Sequence, residues 1–472
     1  MKTEDRTEHP AMDETGHRTM DETGRRTARR SDLIAAAAGV LLVTAAVLVG
    51  RSIQDADGSL HVHWPPLLAS WYPHTGPGTP AAVAVAAAVV AYGPPLADRI
   101  RRRALLPAAW AASLAWVFSL ALIDGWGRGI AGRLTTKHEY LQAIDRFQDI
   151  GAALRGFDDH ILIGSPDNWP THVAGHPPGA TLTFVLLDRI GLGGGGWAGG
   201  WCIVVGASAV PAALITLRVL ADERLARRAA PFLVLAPVAV WTGTSADACF
   251  AAVAAWSVAL LALAATRSVR LPMAAAFASG LLFGLTCYLS YGLTLIAFLL
   301  LGVLVLARRA RSVPLFLAGA LVVPVLFTLA GYDWWESYRL LVERYYQGAG
   351  GIRPYSYWVW ANLACTAIAA GLATVAGLRR AAAGTPGAVR TLRTGTAHAS
   401  QRLILLTLMA FLALLAADLS GMSKAETERI WQPFILWLLP AAALLPTSTR
   451  RGWLTAQAVV ALLVNHLLWT GW

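Results

Sequence analysis

The sequence predicts an all-α polytopic membrane protein, and three observations carry that prediction. Of its 472 residues 56% are hydrophobic and only 14% charged, with a mean hydropathy of +0.52, far more apolar than a soluble globular chain. Charge-free apolar runs of about 18 residues or more recur along the chain, each long enough to cross a hydrocarbon layer roughly 30 Å thick as a helix. Most Lys and Arg sit in short clusters beside those runs, so the net charge of +11 reads as membrane topology, with no nucleic-acid partner expected.

Residues 1–31 are polar and hold an imperfect tandem repeat, MDETGHRT from Met12 and MDETGRRT from Met20. This tail is expected to be disordered and cytoplasmic, followed by a transmembrane domain over 32–472. The first apolar run, Leu33 to Gly50, follows a long hydrophilic lead and reads as a span, not a cleaved signal. Further spans are expected near 79–97, 104–123, 198–217, 229–242, 248–266, 272–289, 291–307, 313–330, 357–377, 402–420, 432–446 and 453–470, a total of about thirteen.

With alternating spans, every basic joint falls on one side: the tail, Arg99–Arg103, Arg218–Arg228, Arg267–Arg270, Arg308–Arg311, Arg379–Arg402 and Arg450 with Arg451. The consistency requires that Gly179 to Leu187, a short run opened by His176-Pro177-Pro178-Gly179 and closed by Asp188 and Arg189, be a partial or re-entrant helix. The protein is thus expected in the cell membrane, with a cytoplasmic N-terminus and its chemistry on the opposite, extracytoplasmic face. The four cysteines lie in or beside apolar segments without paired spacing, so neither disulfides nor a metal cluster is expected.

The long loop 124–178 collects the first candidates. Leu141, Ile144, Phe147, Ile150 and Leu154 recur at helical spacing and predict an amphipathic helix over 139–154 lying on the membrane surface. Asp124 at the end of the third span could take a proton from a sugar hydroxyl, or simply cap the helix in water; Glu139 opens the surface helix. His172 and His176 have a spacing that could bind metal on a helix, but Gly175 and Pro177 disfavour a regular helix there, leaving a phosphate-contacting or structural role.

Between Thr242 and Asp247, an acid at the membrane edge could orient a substrate, pair with a cation or share helix capping with Ser245. The segment from Tyr332 to Trp358 is dense in aromatics, readable as an interfacial belt or as stacking surface from Trp334, Trp335, Tyr345 and Tyr346. From Ser420 to Phe434 a charged stretch separates two apolar spans. There Lys424 and Arg429 could grip a phosphate, or Lys424 and Glu428 could form a solvated helical i,i+4 pair.

These features together resemble membrane glycosyltransferases of the GT-C class. Glu139-Tyr140-Leu141, His176-Pro177-Pro178-Gly179 and Ser423 to Trp431 most resemble an actinobacterial family, the methylthioxylose transferases that decorate mannose caps of lipoarabinomannan. The resemblance covers the chain from about residue 33 onward. It implies a GT-C-like bundle and an inverting, metal-independent transfer with no cofactor, from a polyprenyl-phosphate sugar to a glycan or glycolipid acceptor. Asp124 then leads as general base with Glu139 second, Lys424 and Arg429 hold the donor phosphate, and His172, His176, Asp247 and Glu428 line the pocket. A polytopic transporter or lipid-linked sugar flippase is the rival reading, although the ionisable residues sit in loops and no paired interrupted helices are visible. A non-catalytic envelope scaffold is a third.

Overall fold

The structure is a computed structural model that describes residues 14–471, with side chains from residue 26 onward. The first thirteen residues of the tail, and with them the start of the tandem repeat, lie outside the described residues. Helix α1 (Glu14–Asp57) begins inside the polar tail and continues through the first apolar run. A short strand, β1 (Ala69–Trp71), precedes α2 (Thr79–Arg99) and α3 (Arg102–Ala121).

The long loop follows, then α4 (Pro178–Arg189), α5 (Gly195–Leu220), α6 (Glu223–Val234) and α7 (Ala246–Thr266). Next come α8 (Pro272–Leu289), α9 (Tyr291–Ala307), α10 (Val313–Leu329) and α11 (Trp334–Gln347). The chain closes with α12 (Tyr355–Ala370), α13 (Leu372–Thr394), α14 (Ala399–Leu419), α15 (Gln432–Leu444), α16 (Arg450–Leu467) and β2 (Leu468–Thr470).

Among the described residues, seven helices are long and apolar enough to cross a membrane, and nine if each of two sharply bent pairs is one span. The protein is an all-α multi-pass bundle. The other expected spans are helical but shorter, bent or more polar; 432–446 is buried in protein, whereas Val313–Leu329 exposes Leu317, Leu321 and Leu326. The run expected at 229–242 breaks after Val234, where Pro237 interrupts it, and α9 and α15 are short apolar helices. α16 carries Gln457, Asn465 and His466, which serve internal contacts. Within its most apolar stretch α7 is 78% buried and forms the centre, whereas α1 is only 22% buried and lies at the edge.

Close packing follows from small residues. A Cβ on Gly280 of α8 would lie 1.8 Å from the Phe316 carbonyl oxygen of α10, and one on Gly284 2.5 Å from that of Ala320, so only glycine permits the approach. α7 and α8 are tied by reciprocal hydroxyl bonds, Ser257 to the Ser279 carbonyl (2.8 Å) and Ser279 to the Ser257 carbonyl (2.7 Å). Between α12 and α13 the axis turns by 113° at Gly371, whose φ of +80° suits glycine. Gln457 of α16 satisfies the broken backbone, donating to Ala370 O (2.9 Å) and accepting from Ala373 N (3.3 Å).

The two ends of the bundle differ in charge. At one end Arg450 pairs with Asp98 (3.1 Å), Arg227 donates to Ala97 O (2.7 Å), Arg402 reaches Leu220 O (3.4 Å), and Arg379 and Arg380 clasp Asp32 at 2.6 and 2.7 Å. At the other end lie the long loop, β1 paired antiparallel with β2, and the stretch 420–431. The twelve-residue α4 has both ends among groups of this second end: a Cβ on Gly179 would meet Tyr288 O at 2.4 Å, and Arg189 donates to Phe147 O (2.9 Å) and Gln148 O (2.8 Å). It is too short to cross, at about 18 Å.

The expected surface helix over 139–154 is instead two short helices, Tyr140–Phe147 and Ile150–Arg155, because Asp149 caps the second through Ala152 N (2.9 Å). Its apolar face, Tyr140, Ala143, Phe147 and Leu154, is buried, with Tyr140 stacked on Phe184 of α4 (5.4 Å between centroids). That face is therefore covered by protein.

Candidate functional site

Four loops meet at the end of the bundle away from the basic joints. The one-turn helix Thr171–Ala174 ends at Gly175, as Gly175 and Pro177 foretell. It presents His172, whose Nδ1 lies 2.9 Å from Glu139 Oε1. The second oxygen of Glu139 is buried with no hydrogen-bond partner among the described residues. His176 Nδ1 lies 2.8 Å from His172 O and 3.1 Å from Tyr140 Oη. Burial pushes the His176 imidazole down to about 4, so it is neutral at pH 7. The two rings serve different partners, and among the described residues no three His, Cys, Asp or Glu side chains gather as a metal set.

Asp247 stands in the first turn of α7, where Ser245 Oγ accepts from the Asp247 N–H (3.1 Å) and caps the helix. Its carboxylate pairs with Arg429 Nη1 across the bundle, so the capping and cation-pairing roles coexist. Arg429 Nη2 reaches Glu426 Oε2 at 3.2 Å, and Glu426 Oε1 lies 3.7 Å from Arg353 Nη1. Burial opposes the Arg429 charge, but Asp247, Glu426 and Glu139 together hold it protonated above its ordinary value. Glu139, Asp247 and Arg429 therefore share one electrostatic cluster although they lie in loops far apart in sequence.

The stretch 420–431 is shaped by its backbone. Ala425 and Glu426 take φ values of +73° and +63°, a left-handed conformation uncommon for residues with a Cβ, and helix resumes only over Thr427–Ile430. The i,i+4 geometry for a Lys424–Glu428 pair is thereby lost. Lys424 Nζ donates instead to Gly350 O (2.8 Å), and its own N–H donates to Tyr345 Oη (3.1 Å). Glu428 is fully buried; its Oε1 accepts from Leu68 N–H (3.0 Å) and its Oε2 has no partner. Burial pushes the Glu428 carboxyl up to about 7.

Asp124 belongs to a neighbouring cluster. Its Oδ1 meets His74 Nε2 at 2.9 Å and its Oδ2 meets Arg133 at 2.9 Å and Arg128 at 3.3 Å. Both arginines also reach Thr470 O of β2 (2.9 and 3.3 Å), and Arg128 stacks on Trp469 at 3.7 Å. Asp124 is thus a clasp between the end of α3, β2 and the segment after β1, with both oxygens in use.

The aromatic segment divides in two. Trp334 is packed, its Nε1 donating to Cys287 O (3.0 Å), and Trp335 faces outward, whereas Tyr345 and Tyr346 flank Lys424, the latter ring 5.4 Å from Nζ. Sequence reasoning missed Arg353, which ties Leu60 O (3.0 Å), Lys424 O (2.8 Å) and Glu426 into one knot. The sequence marks Tyr140 only as part of a motif, with no role of its own, whereas Glu426 belongs to the charged stretch that the sequence marks as a substrate path. The available signal for Arg353 was an arginine placed directly before Pro354 at the start of a second aromatic run, Tyr355 to Trp358.

The fold and this cluster define a multi-pass membrane protein with a buried set of acids and cations at one end of its helices. No family model and no curated protein matches the chain. Among solved structures, the crystal structure of the Archaeoglobus fulgidus oligosaccharyltransferase complex with Zn and sulfate is similar, with 15% identity and a TM-score of 0.40. The match covers 75% of this chain and 51% of that one, so the chain spans about half the length of that protein.

Proposed function

We propose that the protein is a membrane glycosyltransferase that moves a sugar from a polyprenyl-phosphate donor to a cell-envelope glycan or glycolipid. The observation that supports this best is the gathering of Glu139, Asp247 and Arg429 from three separate loops into one buried, polar cluster at the end without basic joints, with Lys424 on the same loop as Arg429. The positive-inside rule favours a cytoplasmic arginine-rich end, which supports an extracytoplasmic reading of this cluster.

Of the two candidate acids, Glu139 fits the role of base better. His172 fixes one of its oxygens, and the other is free to take a proton from an acceptor hydroxyl. Asp124 is a positioning residue in this scheme, since an acceptor would have to displace a partner it already holds. The acceptor oxygen attacks the anomeric carbon, the bond from that carbon to the phosphate oxygen breaks, and the proton passes to Glu139. Lys424 has N–H donors beyond the one on Gly350 O. With Arg429 it balances the charge on the departing polyprenyl phosphate, which competes with Glu426 for the 3.2 Å contact at Nη2. Direct displacement inverts the anomeric centre.

The finer reading, a methylthioxylose donor and a lipoarabinomannan mannose-cap acceptor, rests on the motif resemblance around Glu139, His176 and Lys424. The test is purified protein in detergent with a panel of labelled polyprenyl-phosphate pentoses and hexoses plus mannosyl acceptors. An enzyme forms labelled glycan without sealed vesicles. Movement of label only across sealed vesicles would replace this reading with a transporter.

A further inference from the structure

At the arginine-rich end, far from the pocket above, α7, α8 and α10 surround a cavity of about 170 Å³. That is roughly the liquid volume of six waters. Its lining residues include the exposed Arg267, Arg309 and Arg311 and the buried Ser312, and no acidic residue. None of the three guanidiniums has a hydrogen bond or ion pair among the described residues. Ser312, which lines the cavity, is only 5% exposed, and its hydroxyl has no partner among the described residues. Some arginines at this end are engaged, as Arg450 is with Asp98 and Arg402 with Leu220 O, and others, the side chains of Arg101, Arg103 and Arg270 among them, have no hydrogen bond or ion pair among the described residues; Arg267, Arg309 and Arg311 are set apart by lining one space.

The backbone adds to this field. α8 starts at Pro272 and α10 at Val313, and the contacts of Gly280 with Phe316 and Gly284 with Ala320 align the two helices in parallel. Both positive helix ends therefore point at the same cavity, where their dipoles oppose each other unless an anion lies between them. The rim is apolar, with Leu271 and Met273 exposed beside it, as suits a ligand that arrives with acyl chains.

We propose that this cavity binds the phosphate group of an anionic phospholipid from the adjoining leaflet. Three arginines, the buried Ser312 and the starts of two helices line one space that has no protein carboxylate to fill it.

Native mass spectrometry of the full-length protein in neutral detergent, with equal amounts of phosphatidylglycerol and phosphatidylcholine, tests this. The expected result is one retained phosphatidylglycerol, and an Arg309→Gln/Arg311→Gln variant that lowers retention about tenfold or more, the loss of one or two charge-assisted hydrogen bonds. Ser312→Ala should lower it less. An Arg101→Gln/Arg103→Gln variant removes equal charge from the same end without touching the cavity and should leave retention unchanged. Equal retention in wild type and the Arg309/Arg311 variant, or equal loss in both double variants, would overturn the site. Displacement of the lipid by millimolar inorganic phosphate would overturn its assignment to a lipid in favour of a soluble anion.

Discussion

Glu428→Gln isolates the cost of burying one carboxyl. Glu428 is fully buried, and burial raises its carboxyl from an ordinary 4.5 to about 7. A raised acid favours the fold in its neutral form. Its contribution is therefore complete below about pH 4.5 and is lost as pH climbs toward 7, a difference of about 3 kcal/mol between the two limits. Most of that loss falls between pH 5 and 7. Glutamine keeps an oxygen for the Leu68 N–H and cannot ionise, so the variant should lack this slope. Thermal unfolding of detergent-purified protein, followed at pH 5, 6, 7 and 8, should show the variant gaining on wild type as pH rises, with little difference at pH 5. A constant offset across the four pH values would show that Glu428 does not titrate in this window and would refute the reasoning.

Glu139→Gln should lower the transfer rate about 10²- to 10⁴-fold, the usual worth of a general base, with donor KM little changed; Asp124→Asn should lower the unfolding midpoint and activity together. Rates at saturating donor, alongside midpoints, separate the two roles. Lys424→Gln should raise donor KM more than it lowers kcat, because it removes a charge that touches the phosphate in ground and transition states alike, as a donor titration would read. Gly371→Ala should cost about 1–3 kcal/mol from its left-handed backbone alone. It should cost more from the Gln457 Oε1 that would lie 1.9 Å from the new Cβ, so in a melting series Gly371→Ala should cost only the first part when added to a Gln457→Ala background, which itself loses the bonds to Ala370 O and Ala373 N.

Much of the bundle was legible because hydrocarbon length and charge act on composition directly. The spans at 79–97, 104–123, 198–217, 248–266, 272–289 and 402–420 all fall within long apolar helices. What composition could not separate was an apolar helix facing lipid from one facing protein. The run at 229–242 and the short α15 are as greasy as any span, yet they pack inside, where a helix can break at proline or stop early once neighbours satisfy its backbone. The surface helix failed for a related reason: the apolar stripe of 139–154 is real, but Asp149 interrupts it and α4 covers it. Periodicity gives the face and not what lies against it.

The site was legible as residue types and not as pairings. Acids and cations in loops next to spans pointed to Glu139, His172, Asp247, Lys424 and Arg429, but the Asp247–Arg429 pair joins positions 182 residues apart that no local pattern connects. The Lys424–Glu428 pair was a local inference and failed locally, since two left-handed residues in succession separate the partners.

The way charge is arranged at the two ends bears on orientation more strongly than the count of spans does. At the pocket end the arginines of the cluster are matched, Arg429 to Asp247 and Glu426, Arg133 to Asp124 and Arg353 to Glu426, while Lys424 rests on the Gly350 carbonyl. A matched set contributes little net field outside the protein. At the other end Arg267, Arg309 and Arg311 have no acid beside them, so their field extends to the membrane surface and is attracted to anionic headgroups by about 1 kcal/mol per charge. Unmatched arginines are costly to carry across a bilayer and matched clusters are less so, so the asymmetry itself favours retaining the arginine-rich end in the cytoplasm. A cysteine introduced at Arg311 should then be labelled by a membrane-impermeant maleimide only after cell lysis, and one at the exposed His138 in intact cells. The reverse pattern would put the pocket of Glu139 and Arg429 inside, away from any donor presented on the outer face.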